Sequence, residues 1–150
     1  MIDADRAWAR QGNRFPGRKL SDFVLQVIDL SVSLGNAAAA QNQTVNFGAS
    51  AIILGVMAAA QPTAQAATQT YRPGLDLFSA ALSYQATNRQ IIGSVESIGS
   101  AIFGLYNDRF PGLEIVMSQN TSLAWNFTNL TSTSIQITLS HHCLMPAAVG

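Results

Sequence analysis

The chain has 150 residues, of which 48% are hydrophobic and 11% charged, with no net charge and a mean hydropathy of +0.20; an average soluble domain is about 25% charged. This length fits one domain burying roughly 70% of its unfolded surface and excludes a second full domain. A neutral chain is also a poor candidate for a nucleic-acid binder, which needs cations to neutralise phosphates.

The shortage of charge is informative in itself. There is one lysine, Lys19, and there are two glutamates, Glu96 and Glu114. Proteins that stay dispersed alone generally cover themselves with ionic side chains, whereas interface centres are depleted in them. The composition therefore points to a surface covered in an assembly; a neutral Asn, Gln, Ser and Thr surface is the alternative. A single cysteine, Cys143, rules out an intrachain disulfide framework.

At the front stand Asp3, Asp5, Arg6, Arg10, Arg14, Arg18 and Lys19, so residues 1–19 carry +3 and the remainder −3. No apolar signal-peptide core is expected here. Four arginines at every fourth residue would stack like charges on one helix, and Phe15-Pro16-Gly17 would break it. An extended or docked arm over 1–19 is expected, with a first turn capped by Asp3 or Asp5 as the alternative. Its candidate partner-binding residues are Arg6, Trp8, Arg10, Arg14, Arg18 and Lys19, since Arg and Trp dominate interface energies.

The tetrapeptide Arg-Phe-Pro-Gly occurs at 14–17 and 109–112, and Arg72-Pro73-Gly74 is a shorter relative. Pro presets the second position of a type II turn and Gly supplies the positive φ of the third. All three are read as corners that launch extended segments. Next comes FVLQVIDLSVSL, read as a strand whose apolar parity slips between Val27 and Ile28, which calls for a bulge. A helix capped by Ser21 is the alternative for 22–34.

TVNFGASAIILGVMAAA is read as a buried strand broken near Gly48. Its longest apolar run, Ala51 to Ala60, is about half of a helical membrane span. The small-residue tracts Ala37–Gln43 and Ala58–Thr70 are expected as loops. Alternation then places Phe78, Ala80, Leu82 and Tyr84 on one strand face, Leu113, Ile115 and Met117 on a second, Leu123, Trp125 and Phe127 on a third, and Ile135, Ile137, Leu139, His141 and Cys143 on a fourth. Asn129–Ser134, rich in turn formers, is expected to join the last two strands as a hairpin.

Chemistry is hard to find. His141, His142 and Cys143 are zinc-ligand types, but only His141 and Cys143 share a strand face and no further ligand lies near in sequence, so a core-edge role is expected. Asp108 and Glu114, the nearest thing to a carboxylate pair, flank a turn. No nucleophile elbow or phosphate loop occurs, so no enzyme activity and no cofactor are expected. N-x-[ST] triplets at Asn42, Asn120, Asn126 and Asn129 are read as outward polar positions.

One resemblance sharpens this. Ile102-Phe103-Gly104, Phe110 to Met117, Leu123 to Asn129 and Ile135 to Cys143 together resemble the end of small β-sandwich proteins associated with tailed-phage capsids, over roughly residues 91–145. The resemblance implies a jelly-roll-like antiparallel β-sandwich; together with the strand pattern and the basic leader, an all-β chain with an extended N-terminal arm is expected, divided as arm 1–19, sandwich 20–145 and tail 146–150. It further implies a virion cement or decoration protein, often a trimer, whose partners are the major capsid protein and copies of itself. Rival readings are a head-tail connector or tail component, a carbohydrate-binding module using Tyr71, Tyr84 and Tyr106, and, more remotely, a cupin-type enzyme.

Overall fold

The computed structural model describes residues 4–36, 40–63, 74–103 and 114–147, the side chains of 93–96 excepted. Among the described residues there are eight strands: β1 (Phe23–Leu34), β2 (Ala40–Phe47), β3 (Ala51–Pro62), β4 (Phe78–Tyr84), β5 (Arg89–Ile98), β6 (Ile115–Met117), β7 (Thr121–Asn129) and β8 (Ile135–Pro146). Two short helices flank them, α1 (Ala4–Gln11) and α2 (Gly99–Phe103).

The strands form two four-stranded sheets in the orders β1-β8-β3-β6 and β2-β7-β4-β5. First pairs with last, second with seventh, third with sixth and fourth with fifth, always antiparallel. The chain is in effect one long doubled ribbon wound over itself, which is the jelly-roll arrangement of two Greek keys. The all-β sandwich expected from alternation is thus the observed architecture. The two inner faces meet in a core of Val32, Leu34, Phe47, Ile53, Val56, Phe78, Leu82, Ile115, Met117, Leu123, Phe127 and their neighbours, as two facing amphipathic sheets require.

Winding of this kind separates strands that are adjacent in sequence, and it corrects one expectation. Strands β7 and β8 are not a hairpin; they belong to opposite sheets, and residues 130–134 arch between them. Both strands alternate because their apolar faces look at each other across the core, a pattern that a hairpin would produce equally well. Asn129, at 1% exposure, holds the arch: its Nδ2 donates to the carbonyls of Gly35 and Thr133, both at 2.7 Å, and its Oδ1 accepts from the backbone N–H and hydroxyl of Thr131 at 2.8 and 2.7 Å. This asparagine is therefore inward, unlike the expectation for all four N-x-[ST] positions, whereas Asn42 and Asn126 are cross-strand partners joined at 2.6 Å. Asn129→Ala is expected to cost about 2–4 kcal/mol, because several buried polar groups lose their partners together. Urea unfolding measures this; a loss under about 0.5 kcal/mol would show that the arch closes without it.

β1 is a strand, but its apolar parity slip needs no bulge: all twelve residues pair continuously with β8. Ile28, Leu30, Val32 and Leu34 face the core, while Phe23, Leu25 and Val27 lie on the opposite, outer face of the sheet. The break near Gly48 is real and divides β2 from β3, which cross to different sheets there. Ala40–Gln43 and Ala58–Pro62, expected as loops, are strand residues instead. Backbone ladders with β7 and β8 satisfy these segments without large side chains, and this tertiary pairing rather than propensity determines their state.

The first Pro-Gly corner is a type II turn: the N–H of Arg18 donates to the carbonyl of Phe15 at 3.1 Å, and Gly17 has φ +75°. Nothing lies within 4 Å of the position a Cβ would take there. Gly17→Ala should therefore cost only the backbone term, about 1 kcal/mol, read as a Tm drop of a few degrees. No change would mean that the turn relaxes. Pro73 and Pro111-Gly112 lie outside the described residues, as do Leu113 and Asp108.

Candidate interaction surface

The N-terminal arm is not extended. Ala4–Gln11 forms a helix, and it is docked on the outer face of the β1-β8-β3-β6 sheet. Ala4, Ala7 and Trp8 fall on one helical stripe, and with Phe15, Leu20 and Val116 they cover Phe23, Ile52, Leu54 and Leu144. Ile52 and Leu54 alternate with the core-facing Ala51 and Ile53, so β3 is apolar on both faces in this stretch. Such a double-sided run demands a cover, and α1 supplies it. Arg6 and Arg10 share the helix four residues apart, but both project to solvent, where repulsion is worth only a few tenths of a kcal/mol.

The arm's aromatic residue is used internally. Trp8 lies 5.9 Å from Phe15, nearly parallel, and 4.9 Å from Phe23, with Phe15 and Phe23 edge-on at 5.1 Å. The helix ends where Gly12 meets this ring: a Cβ there would sit 2.8 Å from Trp8. Arg10 is likewise engaged within its own chain. Its Nε donates to Oε1 of Glu114 at 2.8 Å, its Nη2 bonds the same oxygen, and Gln11 reaches Oε2 at 3.4 Å. The Arg10 bond holds the Glu114 carboxyl below its usual range, helped by Gln11 and opposed by burial.

Of the six arm residues singled out from sequence, Trp8 and Arg10 therefore tie the arm to its own body, and Arg6, Arg14, Arg18 and Lys19 stand exposed on its solvent side. Asp22, whose carboxylate accepts the Lys19 backbone N–H at 2.8 Å, closes the link into β1. The opposite terminus meets the same place, with Ala147 N–H on the Asp22 carbonyl at 2.9 Å; strand β8 itself runs one residue past the expected body boundary at 145.

Beside the covered half of this outer face lies a bare half. Leu25, Val27 and Met57 are 56%, 51% and 43% exposed there, and Val24, 39% exposed, lies on the other side of β1 at its open end. The ladder sets Leu25 beside the helix-covered Leu144, so the apolar surface continues outward through Leu25 to Val27, while Met57 lies across the His142 and Ser140 row of β8. Contiguity, not the exposure of any single side chain, is what marks an interaction surface. Neither the cover nor the bare patch follows from β1 alone; the signal in the sequence was the two-sided apolarity of FVLQV and AIIL.

The SHHC segment places two of its side chains in the core. His141 and Cys143 are fully buried and His142 points outward; no cluster of three His, Cys, Asp or Glu side chains occurs among the described residues. The Trp125 indole N–H donates to Nε2 of His141 at 3.0 Å, and the other ring nitrogen, Nδ1, lies 3.0 Å from the Ile28 carbonyl. An indole is a donor only, so Nε2 carries the lone pair and Nδ1 the proton, which fixes a neutral tautomer. Burial lowers the His141 pKa below 6.5, against the raising effects of the Ile28 bond and Asp29. Burial also pushes the Cys143 thiol up to about 12, so it is neither thiolate nor nucleophile at neutral pH.

Because the folded state resists protonating His141 while the unfolded chain accepts a proton near 6.5, stability is complete above that pH and falls as pH drops through 6.5 toward the folded pKa. The ceiling for one proton is about 1.4 kcal/mol per pH unit. Urea midpoints between pH 7.5 and 5 should decline, and His141→Gln, which still offers Trp125 an acceptor but does not titrate, should flatten the slope. An unflattened slope assigns the acid sensitivity elsewhere.

Tyr84 packs against the core, while Tyr71 and Tyr106 lie outside the described residues. In comparisons with known proteins, no protein-family model and no curated protein matches this chain.

Proposed function

We propose that this chain is a non-enzymatic structural protein of a bacteriophage virion, one that cements or decorates the capsid through contacts with the major capsid protein and with copies of itself. Jelly rolls also serve as lectins and enzymes, so the fold alone carries no function. The observation that supports assembly is the exposure of the apolar Leu25, Val27 and Met57 on the outer sheet face of a chain with only 11% charged residues. A lone soluble subunit gains nothing from such a field; a subunit packed among neighbours buries it at roughly 25 cal/mol per Å².

Arg14, Arg18 and Lys19, exposed on the arm that covers the other part of this face, offer a cationic rim to an acidic neighbour, at about 0–1 kcal/mol per exposed ion pair. The rim fixes orientation and the apolar field supplies affinity. Mass spectrometry of intact particles should find the chain in fixed proportion to the main shell protein. A copy number matching a single vertex would favour a connector or tail component, and recovery only as a monomer apart from particles would overturn the virion reading.

A further inference from the structure

We propose that the first half of β1, residues 23–29, pairs antiparallel with the same segment of a second copy about a two-fold axis through Gln26. The proposal deepens the assembly reading and rests on it, adding which backbone makes the contact between copies.

Four consecutive residues of β1, Val24, Leu25, Gln26 and Val27, are all exposed. Alternation places two of them on each side of the sheet, so this part of the strand stands clear on both faces as well as along its outward edge. Among the described residues, the only ladder partner of β1 is β8. Edge strands are ordinarily guarded by prolines, lysines, bulges or shortness. β1 has none of these: it is twelve residues long, pairs in unbroken register, and holds one ionic side chain, Asp29. Three apolar residues of four in an exposed edge are what strand addition uses.

The other edges make poorer partners. β6 offers three residues, β3 beyond Ile53 is met by the turn Gly74–Asp76, where Gly74 packs against the Ala60 carbonyl, β2 begins with Ala40 and the polar run Gln41-Asn42-Gln43, and the ladder of β5 is interrupted by register shifts. A β1 edge is best matched by another β1 edge, and an isologous contact closes on itself instead of propagating.

Charge selects the direction. Parallel pairing in register would set Asp29 against Asp29, whereas antiparallel pairing sends the cationic Arg18-Lys19 leader of each copy toward the Asp29 end of the other. Charge and apolarity also select the register. With the dyad at Gln26, Leu25 faces Val27 twice on the outer side and Val24 faces Ile28 twice on the inner side, while Asp29 faces Phe23. Moving the dyad to Val27 would put Leu25 opposite Asp29; moving it to Leu25 would run the pairing into the non-strand turn Leu20–Asp22.

Cysteine cross-linking of the full chain tests the register directly. Opposed residues in an antiparallel pair have Cα atoms about 4.5–5.5 Å apart, within the roughly 4.4–6.8 Å span of a disulfide. Gln26→Cys should form a disulfide-linked dimer under mild oxidation, and Ser33→Cys, beyond the paired segment, should not; the buried Cys143 does not compete. Val27→Lys, at an exposed position, should keep the wild-type melting curve yet raise the self-association Kd at least about tenfold in sedimentation across a concentration series. If the wild type associates but Val27→Lys associates equally and Gln26→Cys stays unlinked, the β1 pairing is overturned while the assembly reading stands. Association that requires the shell protein, again without a Gln26→Cys homodimer, assigns the edge to that partner and overturns the two-fold contact. A wild type that stays monomeric to millimolar concentration, alone and with shells, overturns both.

Discussion

Trp125→Ala should be the most damaging single substitution in the described core, at about 3–5 kcal/mol from lost burial and an unfilled cavity. Trp125 is fully buried at the centre of an aromatic cluster, with Phe127 at 5.9 Å and an interplanar angle of 12°, and Phe103 at 6.1 Å. Phe78 joins it through Phe127 at 6.1 Å and Phe103 at 6.5 Å. The substitution also deprives His141 Nε2 of its donor, leaving a buried acceptor unsatisfied at a further cost of about 1–3 kcal/mol. For a domain of this size the combined loss is a Tm drop on the order of 10–15 °C. Trp125→Phe separates the two contributions, because it keeps most of the ring volume and loses only the N–H. Its smaller loss should come with a weaker pH dependence between 7.5 and 5, since His141 is then freer to take up a proton. A Trp125→Ala protein within 1 kcal/mol of wild type would mean that the two sheets do not close over this ring.

Removing residues 1–19 is expected to destabilise the body instead of releasing a dispensable arm. The helix and its following turn cover Phe23, Ile52, Leu54 and Leu144, all under 8% exposed. Each fully buried side chain of this kind is worth roughly 1.5–3 kcal/mol. The entropy of ordering the arm offsets most of that sum, and a net loss of about 2–5 kcal/mol is expected. The newly bared residues would also merge with Leu25, Val27 and Met57 into one enlarged apolar field, so the truncated chain should bind a hydrophobic dye and aggregate on warming. A truncated chain as stable and as soluble as the intact one would show that α1 is only loosely held. The same experiment bears on assembly. Loss of association after truncation cannot be credited to the cations alone, so exposed charges should be tested singly, through Arg14, Arg18 and Lys19, with the helix left in place.

These two results frame the surface economy of the molecule. Its first sheet is apolar on both faces near Ile52, and its own N-terminus covers only part of the outer one. What remains bare runs from the helix flank to the outward edge of β1, with a cationic rim beside it. On the proposed reading, the uncovered part is completed by another subunit, in the same way that α1 completes the covered part.

Much of this architecture was legible in the residues. Alternation in LAWNFTN, IQITLSHHC and LFSAALSY determined which side chains enter the core, because a strand's period of two leaves one register when one face is buried. Phe-Pro-Gly determined the turn at Gly17 by dihedral preference alone. Pairing was beyond its reach: Asn129–Ser134 reads as a hairpin, yet the tertiary structure uses it as an arch between sheets, since two facing amphipathic strands and two adjacent ones share one pattern. Likewise Ala40–Gln43 and Ala58–Pro62 became strands only because β7 and β8 offered them ladders. Trp8 and Arg10 read as partner anchors in the sequence, and only the tertiary structure brings Phe23 and Glu114 beside them. Local sequence sets which way each side chain points, whereas long-range packing sets what it meets, because a contact depends on distant segments that no short window contains.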